Sequence, residues 1–147
     1  MRLFLLFTFL LLSSLATFGC TDYSTGLQQG SSRADETSAI GTLRTVAQAQ
    51  TTYSISNAGH FATFEQLVEG GFLDSRFHHA SPALHGYIFT LAVSPETDGA
   101  PGSYTCNADP DPTSPHGGRH FYIDSNSHDI RMNETQPATV KDKILRP

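Results

Sequence analysis

Residues 33–56, RADETSAIGTLRTVAQAQTTYSIS, contain the pattern on which the fold prediction depends. Small and apolar residues recur there at steps of three and four, the spacing of one face of an amphipathic helix. That face consists of Ala39, Ile40, Leu43, Val46, Ala47, Gln50 and Tyr53. Asp35 and Glu36 are predicted to lie in the first turn, where the helix dipole favours anions, and the sequence Asn57-Ala58-Gly59 to end the helix. The many alanines and threonines favour close packing against a flat partner such as a sheet.

A second, shorter helix is predicted directly after Thr63. Thr63 and Gln66 have the spacing of a capping box, in which each side chain bonds the other residue's backbone N–H. The short apolar face that follows consists of Phe64, Leu67 and Val68. Gly70 and Gly71 are expected to end this helix, and residues 72–74 to turn the chain back toward the core.

Strands are predicted in the second half of the chain, where β-branched and aromatic residues stand between prolines and turn residues. The predicted strands are residues 86–93, 103–108, 119–124 and 129–132, with a turn at residues 125–128. We therefore predict an α+β fold: one long N-terminal amphipathic helix packed on a small antiparallel sheet of about four strands, with a short second helix in the connecting loop. Residues 136–147 are expected to form a loose C-terminal tail.

Alternation along residues 103–108 (SYTCNA) predicts the environment of Cys106. Successive side chains of a strand point to opposite faces, so Tyr104, Cys106 and Ala108 share one face and Thr105 and Asn107 the other. We expect the first face to be buried beneath the long helix and the second to meet solvent. Cys106 is then a small buried hydrophobic residue rather than a reactive thiol.

The first residues of the chain have the features of an export signal. Residues 3–12, LFLLFTFLLL, form an apolar run behind a single charge at Arg2. The run is shorter than the roughly 20 apolar residues that a membrane-spanning helix needs, and it suits the apolar region of a secretory signal.

Gly19-Cys20, after that run, resembles the lipobox of bacterial lipoproteins. In that family the cysteine thiol is alkylated by a diacylglycerol and becomes the mature N-terminus, so the resemblance implies cleavage between Gly19 and Cys20 and lipidation of Cys20. It also implies an exported protein anchored to a membrane and facing the periplasm or the cell exterior. Two other interpretations are ordinary secretory cleavage and an uncleaved anchor over residues 3–18.

This interpretation divides the chain into four parts. Residues 1–19 are a signal peptide and residues 20–32, which are polar and contain glycine and serine, are a flexible tether. Residues 33–135 are the globular domain, and residues 136–147 are the loose tail.

The order of the predicted elements and several short segments resemble the globular domain of type IV pilins and type II secretion pseudopilins. Residues 38–53 are similar to the outer half of the long pilin helix, and residues 64–74 to the segment joining that helix to the sheet. Residues 86–89, 103–104, 108–110 and 119–124 are similar to the sheet. The resemblance covers roughly residues 34–135 and implies a pilin-like fold.

The N-terminal region departs from that family. Pilins are cleaved between a glycine and a phenylalanine, have glutamate at the fifth mature position, and keep their apolar helix after the cut. Here the apolar run precedes Gly19-Cys20, and the fifth mature residue would be Ser24. Cleavage at Cys20 would leave no apolar helix for a fibre core.

Composition excludes several classes of function. The 147 residues have a formal net charge of −5 and only 16 % charged residues, which argues against a nucleic-acid surface. Two cysteines are too few for a disulfide-rich scaffold or a four-cysteine zinc site. The length fits one domain.

No motif of an active or metal site is present in the sequence. The seven histidines lack zinc-motif spacing: His78 and His79 are adjacent and point apart on any regular element. The remaining candidates for convergence, with Asp109 or Asp111, are His85, His116, His120 and His128. We expect exposed loop histidines and no metal, and we interpret residues 109–112 (DPDP) as two turns rather than a calcium loop. No catalytic residue, cofactor or small-molecule substrate is predicted.

These observations predict a non-enzymatic, membrane-tethered lipoprotein that interacts with other pilin-like or secretion-system proteins as an accessory component. The alternative is a minor pilin or pseudopilin that retains residues 3–18 as its anchor. A third class, a small hydrolase, requires histidine and aspartate to converge in a cleft.

Overall fold

A computed structural model describes residues 21–114 and 118–146. Helix α1 spans Thr21–Ser56 and helix α2 Phe64–Glu69, and a 3-10 turn follows at Ser75–Phe77. The strands are β1 (Ala83–Leu84), β2 (Tyr87–Ser94), β3 (Ser103–Pro110), β4 (His120–Asp124), β5 (Arg131–Asn133) and β6 (Lys143–Ile144). They form one antiparallel sheet of six strands in chain order, on which α1 packs. The fold is therefore α+β, as predicted.

Within residues 21–114 and 118–146 the sheet has six strands rather than about four, because two-residue strands occur at both edges. The other strands lie within a few residues of the predicted ones. A two-residue strand contains too few residues to show alternation, so β1 and β6 left no pattern in the sequence.

The buried stripe of α1 agrees with most of the predicted face, but Ile40 and Tyr53 are only half-buried, and Ala49, which was not predicted, is buried. Ala39, Leu43, Val46 and Ala47 are buried in a single core with side chains from the sheet and α2. The sheet contributes Tyr87, Phe89, Tyr104, Cys106, Ala108, Phe121 and Ile123. Ala58 and Gly59 have φ values of 54° and 87°, which stop the helix where the sequence predicted.

Helix α1 begins earlier than the pattern indicated. Residues 21–32 are helical, although the sequence predicted a flexible tether there. Asp35 and Glu36 consequently lie inside the helix and not in its first turn. Once the amphipathic part of a helix has formed, lengthening it needs no new nucleus. The polar residues 21–32, which contain no proline, can therefore extend α1 toward its N-terminus. The compact unit that contains the core begins at Ser32.

The capping box of α2 is confirmed. Thr63 Oγ1 accepts from Gln66 N at 3.3 Å, and Gln66 Oε1 accepts from Thr63 N at 2.9 Å. Gly70 caps the helix, and Gly71 has φ 74°, a value that glycine adopts without strain. This short helix places Phe64 and Leu67 in the core.

The C-terminal residues are part of the fold, so the prediction of a loose tail was wrong. Ala138 is 2 % exposed, β6 pairs with β5, and Leu145 N donates to Ile130 O at 2.7 Å. Asp142 Oδ2 shapes the turn before β6, because it accepts from both the backbone N–H and the hydroxyl of Thr139.

Cys106 is fully buried on the inner face of β3 with Tyr104 and Ala108, as predicted. The opposite face is not simply solvent-exposed: Thr105 and Asn107 are half-buried, and Asn107 Nδ2 donates to Ala138 O at 2.8 Å. The C-terminal segment covers that face. The alternation of residues along β3 could not indicate this, because the covering residues lie elsewhere in the chain.

Burial should make Cys106 unreactive in the native state, since burial raises the pKa of its thiol and hinders access. We expect Cys106→Ser to lower the free energy of unfolding by about 1–3 kcal/mol, because a buried hydroxyl loses its bonds to water. Cys106→Ala should lower the free energy of unfolding by a smaller amount. Thiol labelling with peptide mapping, which separates Cys106 from Cys20, should show slow native labelling and fast labelling after denaturation. Rapid labelling of native Cys106 would contradict this burial.

Candidate functional site

The residues predicted to be processed and lipidated, Gly19 and Cys20, lie outside the described residues, as does His116. Cleavage and lipidation therefore stay predictions from the sequence. None of the helices in the described ranges is long and apolar enough to cross a membrane.

The described histidines lie in separate places. His78 and His79 border a cavity beside β2, whereas His85 and His128 are exposed at turn positions with φ of 52° and 55°. His120 Nδ1 lies 2.6 Å from Asp109 Oδ1, between neighbouring strands β4 and β3. Across residues 21–114 and 118–146, no three His, Cys, Asp or Glu side chains are grouped closely enough to hold a metal ion.

Asp111 and Asp124 accept hydrogen bonds from groups of their own turns. Asp111 Oδ1 accepts from the backbone N–H and the hydroxyl of Thr113, and these bonds lower the pKa of Asp111. Asp124 Oδ1 accepts from the backbone N–H groups of Asn126 and Ser127. Both patterns are Asx-type turns. Of the two turns predicted for residues 109–112, the one at Asp111 forms, whereas Asp109 and Pro110 belong to β3 and Asp109 contacts His120 instead.

One ion pair joins α1 to the residue before β4. Arg119 Nη2 donates to Glu36 Oε2 at 2.7 Å, and Arg119 Nε and backbone N donate to Glu36 Oε1 at 3.2 and 3.0 Å. Burial raises the pKa of Glu36, but the hydrogen bonds and charge of Arg119 outweigh it, and the net pKa is lowered.

The backbone around this ion pair is closely packed. Tyr87 Oη donates to Arg119 O at 3.0 Å, and a Cβ at Gly118 would collide with that hydroxyl. Gly118 is therefore the residue that lets the chain pass between Tyr87 and Glu36. No sequence pattern indicates this pair, because Glu36 and Arg119 are 83 positions apart.

A second polar contact joins α1 to the chain before α2. Gln50 is fully buried, its Nε2 donates to Ala62 O at 2.6 Å, and its Oε1 accepts from Ala62 N at 3.0 Å. The amide therefore satisfies both backbone groups of a buried residue that belongs to no helix or strand. A glutamine in an otherwise apolar stripe was the sequence signal for such a contact.

Two shallow grooves run along the outer surface of α1. Both include Arg44 and Gln48; one reaches Phe72, and the other reaches Ile123 and His128. Ile55, at the end of the helix, is 79 % exposed. The lining of both grooves contains little charge.

A cavity of about 480 Å³ lies between the start of α2, the segment after the 3-10 turn, and β2. Its apolar lining comes from Phe64, Ala80 and Leu91, and its polar border from Glu65, His78 and His79. The sequence did not indicate it, because it forms only where the unpaired part of β2 faces α2. Searches with protein-family models and comparisons with curated proteins and solved structures found no match to this chain.

Proposed function

We propose that this chain is an exported, membrane-tethered lipoprotein whose pilin-like domain acts without catalysis, as an interaction or accessory component of a pilus or secretion system. The observation that supports it is the order of parts along one chain. An export-type apolar run ending in Gly19-Cys20 is followed by a long helix and then by an antiparallel sheet on which that helix packs.

The packing supports a role in contacts between proteins. Polar side chains join distant segments of the fold: the buried Gln50 bonds to Ala62 before α2, and the half-buried Glu36 bonds to Arg119. Such contacts fix the domain's shape, and its outer surface offers grooves along α1 and a cavity beside β2. A net charge of −5 favours protein partners over nucleic acid.

A second candidate is a minor pilin or pseudopilin that keeps residues 3–18 as its anchor. One observation favours it: α1 already begins at Thr21, directly after the predicted lipidation residue, and not at residue 33. In that family the helix that packs on the sheet continues from the apolar membrane segment.

The two candidates predict different behaviour for a Cys20 variant. For a lipoprotein, Cys20→Ala should abolish incorporation of radiolabelled palmitate, because the acceptor thiol is gone, and should also block the maturing cleavage. The measurement is palmitate incorporation and apparent size of the full chain in a bacterial host. Cys106→Ala is the matched control and should keep wild-type incorporation, since Cys106 is buried. Absence of label from the wild-type chain would contradict the lipoprotein and favour the retained anchor.

A further inference from the structure

The outer edge of β2 is only partly paired. Strand β1 pairs with Tyr87 and Ile88, and Pro82 O accepts from Phe89 N at 2.9 Å. From Thr90 to Ser94, no described strand lies on that side of β2, whereas the other side pairs with β3 along its whole length.

The direction of the backbone groups follows from two hydrogen bonds. Phe89 N donates away from β3, so Leu91 and Val93, at alternate positions, also point their N–H and C=O groups to the open edge. A hydrogen bond in β3 supports the same direction. Tyr104, the cross-strand partner of Val93, accepts from Ser125 N on the β4 side, so the backbone groups of this residue pair point away from each other. Within the described residues, the backbone groups of Leu91 and Val93 have no hydrogen-bond partner on the open edge.

The cavity described above adjoins this open edge, because Leu91 lines it. Leu91 and Val93 are half-buried on the inner face of the sheet, whereas Thr90 and Ala92 are exposed on the outer face. A strand added beside β2 would place every second side chain on the inner face, toward the cavity.

We infer that the open edge of β2 binds an extended segment of a partner polypeptide by strand addition, with an aliphatic side chain of that segment in the adjoining cavity. The inference deepens the proposed interaction role, on which it rests. Backbone donors and acceptors repeating along an edge match the backbone of another extended chain, and the pocket beside them selects a side chain.

The residues that line the cavity also indicate which kind of side chain the partner segment presents. Phe64, Ala80 and Leu91 favour an aliphatic residue, and none of the described lysines and arginines lines the cavity to receive a phosphate or a lipid headgroup. A second copy pairing antiparallel through the same edge fits less well. In each copy α2 lies beside Leu91, near the centre of the unpaired residues 90–94. Antiparallel pairing of two copies through this edge would therefore bring their two α2 helices into collision.

The test selects linear heptapeptides from a random phage-displayed library on the full chain in detergent micelles. We expect enriched peptides with alternating aliphatic residues. Their affinity should fall at least about 10-fold, or ~1.4 kcal/mol, on Val93→Pro, which removes an outward N–H and leaves the bonds to β3. Thr90→Ala, an exposed outer-face position whose backbone pairs with β3, is the matched control and should bind like wild type.

A second variant keeps the test valid if Val93→Pro fails to fold. Ala80 is exposed and lines the cavity, so Ala80→Trp should fill the cavity, keep the wild-type circular dichroism spectrum and reduce binding by a similar factor. Failure to enrich any peptide whose binding depends on both Val93 and Ala80 would overturn the inference. So would a dimer in sedimentation that Val93→Pro dissociates, since the occupant would then be a second copy. Neither result alters lipidation of Cys20, so failure here is distinct from failure of the proposed function.

Discussion

Gln50→Leu is expected to lower the free energy of unfolding by about 2–4 kcal/mol. Leucine leaves both the N–H and the C=O of Ala62 without partners, and each buried unpaired group costs about 1–3 kcal/mol. Ala62 and Gln50 are both fully buried, so water cannot easily replace the lost bonds. The apolar side chain offsets part of this cost. The measurement is equilibrium denaturation followed by the near-ultraviolet circular dichroism of the tyrosines, because the chain contains no tryptophan.

Gln48→Leu is the matched control for this variant. Gln48 lies on the exposed side of the same helix, and its amide donates a long hydrogen bond of 3.5 Å to the exposed Thr52 Oγ1. Its replacement should change the free energy of unfolding by no more than about 0.5 kcal/mol. Equal losses for the two variants would contradict the role assigned to Gln50, since helix propensity alone would then explain both.

Arg119→Gln is expected to lower the free energy of unfolding by about 2 kcal/mol at neutral pH. The change removes charge-assisted bonds to Glu36, whose side chain is 13 % exposed, and such bonds contribute about 1.5–3 kcal/mol. The side chain of Arg119 is 37 % exposed, so the expected loss is well below that of a fully buried pair. Arg44→Gln, at an exposed position of α1, is the control and should have little effect.

The loss caused by Arg119→Gln should also depend on pH. The folded-state pKa of Glu36 is lowered, so its contribution is fully present above the unfolded value of about 4.5 and disappears as pH falls through the folded value. The wild-type and variant stabilities should therefore converge in acid. A difference that stays constant from pH 7 to pH 3 would show that Arg119 acts through packing and not through the charge of Glu36.

Local patterns predicted the parts of the fold that depend on near neighbours. The capping box at Thr63 and Gln66, the stop after Ser56 and the inward face of β3 each involve residues within a few positions of one another. The sequence could therefore specify them without knowledge of the rest of the chain.

Contacts between distant segments could not be predicted in this way. Glu36 meets Arg119 only once α1 lies on the sheet, and Asn107 meets Ala138 only once the C-terminal segment crosses the outer face. A loose tail was predicted for residues 136–147, but the bonds of Asp142 to Thr139 and the pairing of β6 with β5 order this segment. The cavity beside β2 likewise depends on where the two-residue strand β1 ends.

The most direct measurement of the central proposal is the intact mass of the full-length gene product purified from bacterial membranes. The proposal predicts a chain that begins at Cys20 and has a diacylglycerol on its thiol, with the mass of residues 1–19 lost. A chain that begins at Met1, or one that begins at or near Cys20 without lipid, would contradict the lipoprotein assignment.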